Sequence, residues 1–109
     1  MIAEILHEGR ENTMTAGELC ALTGMNGTQL RLRIMAERRS GEPICSATGK
    51  NPGYFLAETA AEMREFCESM KHRIDEVSET RRACMEQIMN LPGADPAENE
   101  TKEGARNGQ

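Results

Sequence analysis

The side chains that could do chemistry in this chain fall into two sets. Four cysteines (Cys20, Cys45, Cys67, Cys84) and two histidines (His7, His72) are its only thiol and imidazole ligands. No C-x-x-C occurs and the histidines are far apart, so zinc spacing is absent and no metal site is expected. Thiols scattered this way read as small buried hydrophobes in a reducing compartment. The second set is a run of donors: Thr28, Gln29, Arg31, Arg33, Arg38, Arg39 and Lys50. Arginine reads guanine and binds phosphate bidentately, Gln reads adenine, and Thr or Leu can touch a thymine methyl. This is recognition chemistry rather than bond-making. No nucleophile with a base, metal set or carboxylate pair stands out, so no enzyme activity and no cofactor are expected.

The elements that must position the donors are marked by local signals. Thr15 with Glu18 forms a capping box that starts a helix; Leu19, Cys20 and Leu22 give it a short apolar face, and Gly24 ends it. Met25 is a buried-turn candidate. Asn26 with Gln29 caps a second helix, which runs to Ser40 and stops at Gly41. Pro43 opens a strand, Ile44 to Ala47; Gly49 to Gly53 turn the chain, and Tyr54, Phe55 and Leu56 return as a hairpin. Those glycines lack a phosphate-cradling pattern and belong to the turn. Upstream, Ile2, Ile5 and Leu6 fall at helical spacing, so a short first helix ending near Gly9 is expected to close the core. With Leu30 and Ile34 as the core line of the second helix, Leu32 and Arg39 point outward. Thr28 and Met35 lie to one side, Gln29 and Ala36 to the other, and Arg31 and Arg33 flank the core edge. Arg38 and Arg39, at the distal end, suit phosphates; a merely solvated helix end is the bland alternative for these arginines.

Helix, turn, helix and hairpin in this order, with Ile34, Glu37, Arg38, Arg39, Gly41, Pro43, Ile44, Cys45 and Ser46 followed by Gly53, Tyr54, Phe55 and Leu56, resemble the small winged helix-turn-helix proteins of phages and prophages. The resemblance implies that the second helix lies in a DNA major groove. Thr28, Gln29, Arg31, Leu32 and Arg33 would then face bases or phosphates, and Lys50 would ride on the wing. Glu37 stands where such proteins often place a core Leu.

Length and charge bound this reading. The 109 residues suffice for one modest core, built from Leu, Ile and Met because aromatics are only 3%. The net charge of −5 is unusual for a nucleic-acid binder. It is unevenly placed: residues 1–57 balance six acids with six bases, and four of those bases lie in the second helix. The excess acid follows, with eight acids to five bases over 58–91 and four to two over 92–109. With no signal peptide or membrane-length apolar run, the expected location is the cytoplasm.

Beyond the hairpin, Thr59 with Glu62 suggests a third capping box, and no Gly or Pro intervenes before Pro92. A helix over about 59–90 is expected. Met63, Met70, Val77, Cys84 and Leu91 repeat every seven residues, beside Cys67, Ile74 and Ile88, with Arg81 in the remaining place. Such a seam suggests a homodimer, the alternative being back-packing as a core helix. Residues 92–109, with no apolar periodicity, read as a disordered acidic tail.

The expected architecture is therefore mostly α: a winged helix-turn-helix of three helices and a two-stranded β-hairpin (1–57), a long coiled-coil-like C-terminal helix (58–91) and the tail. The expected function is sequence-specific binding of double-stranded DNA, as a transcriptional regulator of phage or mobile-element origin. The rival is a protein-binding adaptor or inhibitor with a host or phage protein as partner. Leu32 and Met35, two large apolar groups on the supposed DNA face, favour the rival, as would an exposed Tyr54 or Phe55.

Overall fold

The computed structural model describes residues 1–95. They form α1 (Ala16–Thr23), α2 (Gly27–Arg39), β1 (Ile44–Ala47), β2 (Gly53–Leu56), α3 (Ala60–Glu86) and a short 3-10 turn (Ile88–Asn90). The described chain is mostly helical, with one two-stranded antiparallel sheet. One unit covers Met1–Met70 and a second begins at Lys71, so the first takes in the start of α3, past the boundary expected at 57. Most of the expected tail, residues 96–109, lies outside the described residues.

Local capping fixes α1 and α2. The Glu18 N–H donates to Thr15 Oγ1 at 3.1 Å, and the Thr15 N–H returns to Glu18 Oε1 at 3.2 Å. The Gln29 N–H donates to Asn26 Oδ1 at 2.8 Å, and the Asn26 N–H to Gln29 Oε1 at 3.0 Å. Each box satisfies donors that a helix start leaves open. Gly24, at φ 77°, ends α1 in the left-handed conformation, and only Met25 and Asn26 separate it from α2.

The hairpin is covered on both faces. Ile44 pairs with Leu56, Cys45 with Phe55 and Ser46 with Tyr54. Alternation sends Ile44, Tyr54 and Leu56 to the core of Leu19, Leu30 and Ile34. It sends Cys45 and Phe55 to the opposite side, where Phe66 buries them and Met63 and Met70 pack around. Neither Tyr54 nor Phe55 is therefore an exposed aromatic.

The expected first helix is absent. Ile2 to Leu6 make a single turn in which the Ile5 and Leu6 N–H groups both donate to the Ile2 carbonyl. The chain then runs along the free edge of β2. The Leu56 N–H donates to His7, the Gly9 N–H donates to Leu56, and Met14 and Tyr54 exchange two bonds of 2.8 and 2.9 Å. Nucleating a helix costs more than so short a segment can recover, whereas pairing with β2 satisfies its backbone directly. Ile2, Ala3 and Leu6 are nevertheless buried and close the core, as a first helix would. Gly53 follows from this pairing: at φ 139°, a Cβ there would run into the Met14 carbonyl.

Glu37 holds the turn in place. It is only 5% exposed, and its carboxylate accepts the Ile2 N–H at 2.8 Å, the Ala3 N–H at 2.9 Å and Arg33 Nε at 3.1 Å. Burial pushes its pKa up, but the Ala3 and Ile2 N–H groups, Arg33 and the terminal ammonium outweigh that and leave the carboxyl below its ordinary value.

The start of α3 is tied to the same segment. Thr59 Oγ1 accepts the Glu62 N–H at 3.2 Å, but Glu62 does not complete the expected box. Its carboxylate reaches the Glu58 N–H at 2.8 Å and the Arg10 N–H at 3.1 Å. At its other end α3 stops at Glu86, short of the expected 90, and Ile88 falls in the 3-10 turn. Pro92 disfavours the helical conformation at Leu91, which is extended at φ −113°, ψ 154°, and the preceding bonds tighten to three-residue spacing.

Glu37→Ala should cost about 2–4 kcal/mol, because it leaves two buried backbone donors unmatched. Glu37→Gln should cost about 1–3 kcal/mol, since one of its acceptors becomes a donor facing a donor. The folded carboxyl titrates below the unfolded one, so its contribution is complete above the ordinary Glu value. It is lost as pH falls through the lower folded value. Urea unfolding of wild type and Glu37→Gln against pH checks this: the gap between them should close as the pH drops.

Candidate nucleic-acid interface

The core side of α2 is Leu30, Ile34 and Glu37, all buried. The opposite side is set by the same 100° per residue. Thr28, Leu32, Met35 and Arg39 fall at i, i+4, i+7 and i+11, one stripe, and all four are exposed. Arg31 and Ala36 are exposed beside it. The only carboxylate of α2 is the buried Glu37, so the outward face carries cations and apolar groups and no acid.

The expected DNA-binding residues divide once their bonds are known. Thr28, Arg31, Leu32, Arg39 and Lys50 are exposed as expected, with Arg31 reaching Thr28 Oγ1 at 3.5 Å. Gln29 is exposed, but its carbonyl oxygen is engaged in the capping box. A bidentate adenine contact needs that oxygen, so the box competes with the reading role. Arg33 bonds Glu37, which fixes its charge at the core edge.

Arg38 corrects the expectation of a phosphate contact. Its Nε donates to the Ile44 carbonyl at 2.8 Å and its guanidinium lies 4.7 Å from the centre of the Phe66 ring. The side chain is thus turned inward, joining α2 to β1 and α3 by a hydrogen bond and a cation–π contact.

The hairpin turn carries its cation on a braced loop. Arg10 donates to the Lys50 carbonyl at 2.7 Å and to the Asn51 carbonyl at 2.9 Å. Thr13 Oγ1 reaches the Asn51 carbonyl at 3.2 Å, and Asn51 Nδ2 the Glu11 carbonyl at 3.1 Å. Asn51 sits at φ 59°, in the left-handed region that Asn tolerates. Arg10 therefore adds a second positive charge at the turn. Nothing in its neighbourhood in sequence marks this role, since its partners are 40 and 41 residues away.

The cysteines split. Cys45 is buried beneath Phe66, and burial pushes its thiol pKa up; Cys20 is half-buried against the first core. Cys67 and Cys84 are exposed on α3, contrary to the expectation of burial. Among the described residues no three His, Cys, Asp or Glu side chains group to hold a metal ion. No described helix is long and apolar enough to cross a membrane.

The seven-residue stripe also divides. Met63 and Met70 pack against the Cys45–Phe55–Phe66 cluster. Ile74 and Val77 are 64% and 67% exposed, and Arg81 and Cys84 are exposed as well. Ile88 has left the helix. The chain matches no known protein family, curated protein or solved structure.

These placements separate the arginines by measurement. Arg38→Ala should lower unfolding stability by about 1–2 kcal/mol through the lost carbonyl bond and ring contact. Arg31→Ala should change stability by less than about 0.5 kcal/mol, as for an ordinary surface site. Chemical denaturation of the two variants gives the comparison.

Proposed function

We propose that this protein is a winged helix-turn-helix that binds double-stranded DNA in a sequence-specific way and acts as a transcriptional regulator. In this reading residues 1–9 replace the first helix, α2 enters the major groove, and the Lys50 turn is the wing. The observation that carries it is the outward face of α2, where Arg31 and Arg39 stand with no exposed acid on the helix. A helix whose back is fixed by buried residues and whose front is free of carboxylates suits the major groove. The braced turn with Lys50 and Arg10 supplies a second cationic point for the phosphate backbone. The resemblance to small phage and prophage winged helices agrees with this and suggests a mobile-element origin.

The rival reading, a protein-binding adaptor, draws its support from Leu32 and Met35, which are 60% and 43% exposed at the centre of that face. Duplex binding decides between them. Retention of fragments from a genomic pool should fall with salt as counterions are released, in proportion to the phosphates neutralised. Lys50→Ala should weaken all sequences alike and reduce the slope of log K against log salt by about 0.9 per copy bound. Arg31→Ala should relax sequence preference. Absence of duplex binding above background at low salt would reject the DNA reading.

We propose further that the protein acts as a homodimer joined through α3, because Ile74 and Val77 are large apolar groups left in water at helical spacing. The seam in this reading is Cys67, Ile74, Val77, Arg81 and Cys84, since Met63 and Met70 are used within the chain. Two copies would engage two half-sites at once. Val77→Glu should give monomers by light scattering and lower operator affinity while leaving the far-ultraviolet dichroism intact. A wild type that is already monomeric at tens of micromolar would overturn the dimer.

A further inference from the structure

The outward stripe of α2 contains a methyl-bearing run, Thr28, Leu32 and Met35, ending in Arg39. We infer that this run reads thymine C5 methyl groups, so that α2 selects its DNA by apolar contact alongside the hydrogen bonds of Arg31. The inference rests on the DNA reading above and names what the same face recognises.

Three observations lead to it. Three of the side chains able to read bases by paired hydrogen bonds are engaged elsewhere, Gln29 by its cap, Arg33 by Glu37 and Arg38 by Ile44 and Phe66, which leaves Arg31 and Arg39. The centre of the face is left to Leu32 and Met35, neither of which can donate or accept a conventional hydrogen bond to a base edge. Arg31 and Arg39 flank this centre with positive charge, and the helix presents no exposed carboxylate, so the partner the patch suits is polyanionic. In the major groove of a duplex, the apolar feature of a base pair is the thymine methyl. Thr28 to Met35 spans seven helical steps, about 10 Å, which covers roughly three base pairs at 3.4 Å each. A short thymine-containing run beside one guanine, read by Arg31, is the expected half-site.

The test removes the methyl alone. Duplexes retained by the purified full chain from a random pool are resynthesised with deoxyuridine in place of thymidine, one position at a time. At one or more positions the loss of the methyl should weaken binding about threefold to fourfold, the worth of one buried carbon. Leu32→Ala or Met35→Ala should bring the thymine-to-uracil ratio at an affected position close to one. Both side chains are exposed, so each variant should melt like wild type. Equal binding of thymine and uracil duplexes by wild type would overturn the inference and leave the DNA reading standing. A thymine preference unchanged in both variants would overturn it too. If no duplex is retained, both readings fall and the apolar stripe belongs to a protein partner.

Discussion

The fold depends on one buried carboxylate. Glu37 lies in the core register of α2, one turn beyond Ile34, where an apolar side chain would be the ordinary choice. Burial alone would drive it toward the neutral form, and it stays favourable only because the Ala3 and Ile2 N–H groups and Arg33 surround it. Those two N–H groups belong to a single turn that cannot hold itself together as a helix. The carboxylate acts on them as a capping side chain acts on a helix start, but from another element. With the turn held, Ile2, Ala3 and Leu6 close the core over Leu19, Leu30 and Ile34. The chain beyond it is then positioned to pair with β2 through His7, Gly9 and Met14, up to the cap of α1. The back of α2 and the start of the chain are therefore one structural unit.

A second tie works at the other end of the same helix. Arg38 bonds the Ile44 carbonyl and lies over Phe66, so α2, β1 and α3 meet at one guanidinium. A two-stranded hairpin is marginal by itself, but here one face packs on α1 and α2 and the other on the start of α3. This explains how a chain with only three aromatic residues encloses its hairpin without a large core. It also leaves α2 gripped along its inner side and its distal end, with only its outward stripe available to a partner.

Legibility in the sequence followed the range of the interactions. The capping boxes of α1 and α2, the Gly24 stop and the hairpin could be read because their partners are three or four residues apart or their turn residues are distinctive. The third box, Thr59 with Glu62, forms only by half, because the Glu62 carboxylate turns to the Glu58 and distant Arg10 N–H groups. The single turn at the start is not distinguishable from a first helix in sequence, because three apolar residues in five fit one helical turn as well as a helix and the hydrogen-bonding edge of β2 is invisible locally. Glu37 was legible as an anomaly, an acid in a core register, but its partners 34 and 35 residues away were not. Arg38 and Arg10 were missed for the same reason: a guanidinium on a helix end or in a polar loop looks the same whether it faces solvent or a distant carbonyl. Gln29 offered two uses, cap and base reader, and sequence could not show that one oxygen serves the cap.

The division of the arginines shapes how an acidic chain could bind an acidic polymer. Of four arginines in α2, two are fixed by the fold: Arg33 by Glu37 and Arg38 by Ile44 and Phe66. That leaves Arg31 and Arg39, with Lys50 and Arg10 at the turn, while the whole chain is at −5. So few contacts give weak non-specific attraction, because the electrostatic part of affinity scales with phosphates neutralised. On the proposed reading, the missing affinity must come from terms that do not scale with charge. Apolar contact at Leu32 and Met35 is one, and pairing of two copies is the other. A protein built this way discriminates well relative to its total affinity. Its binding to wrong sequences lacks a large charge term, and its binding to the right one adds contacts that only a matching groove provides. On that reading, the net acidity that first argues against DNA is consistent with it, since it would suppress the non-specific background against which a small recognition face must work.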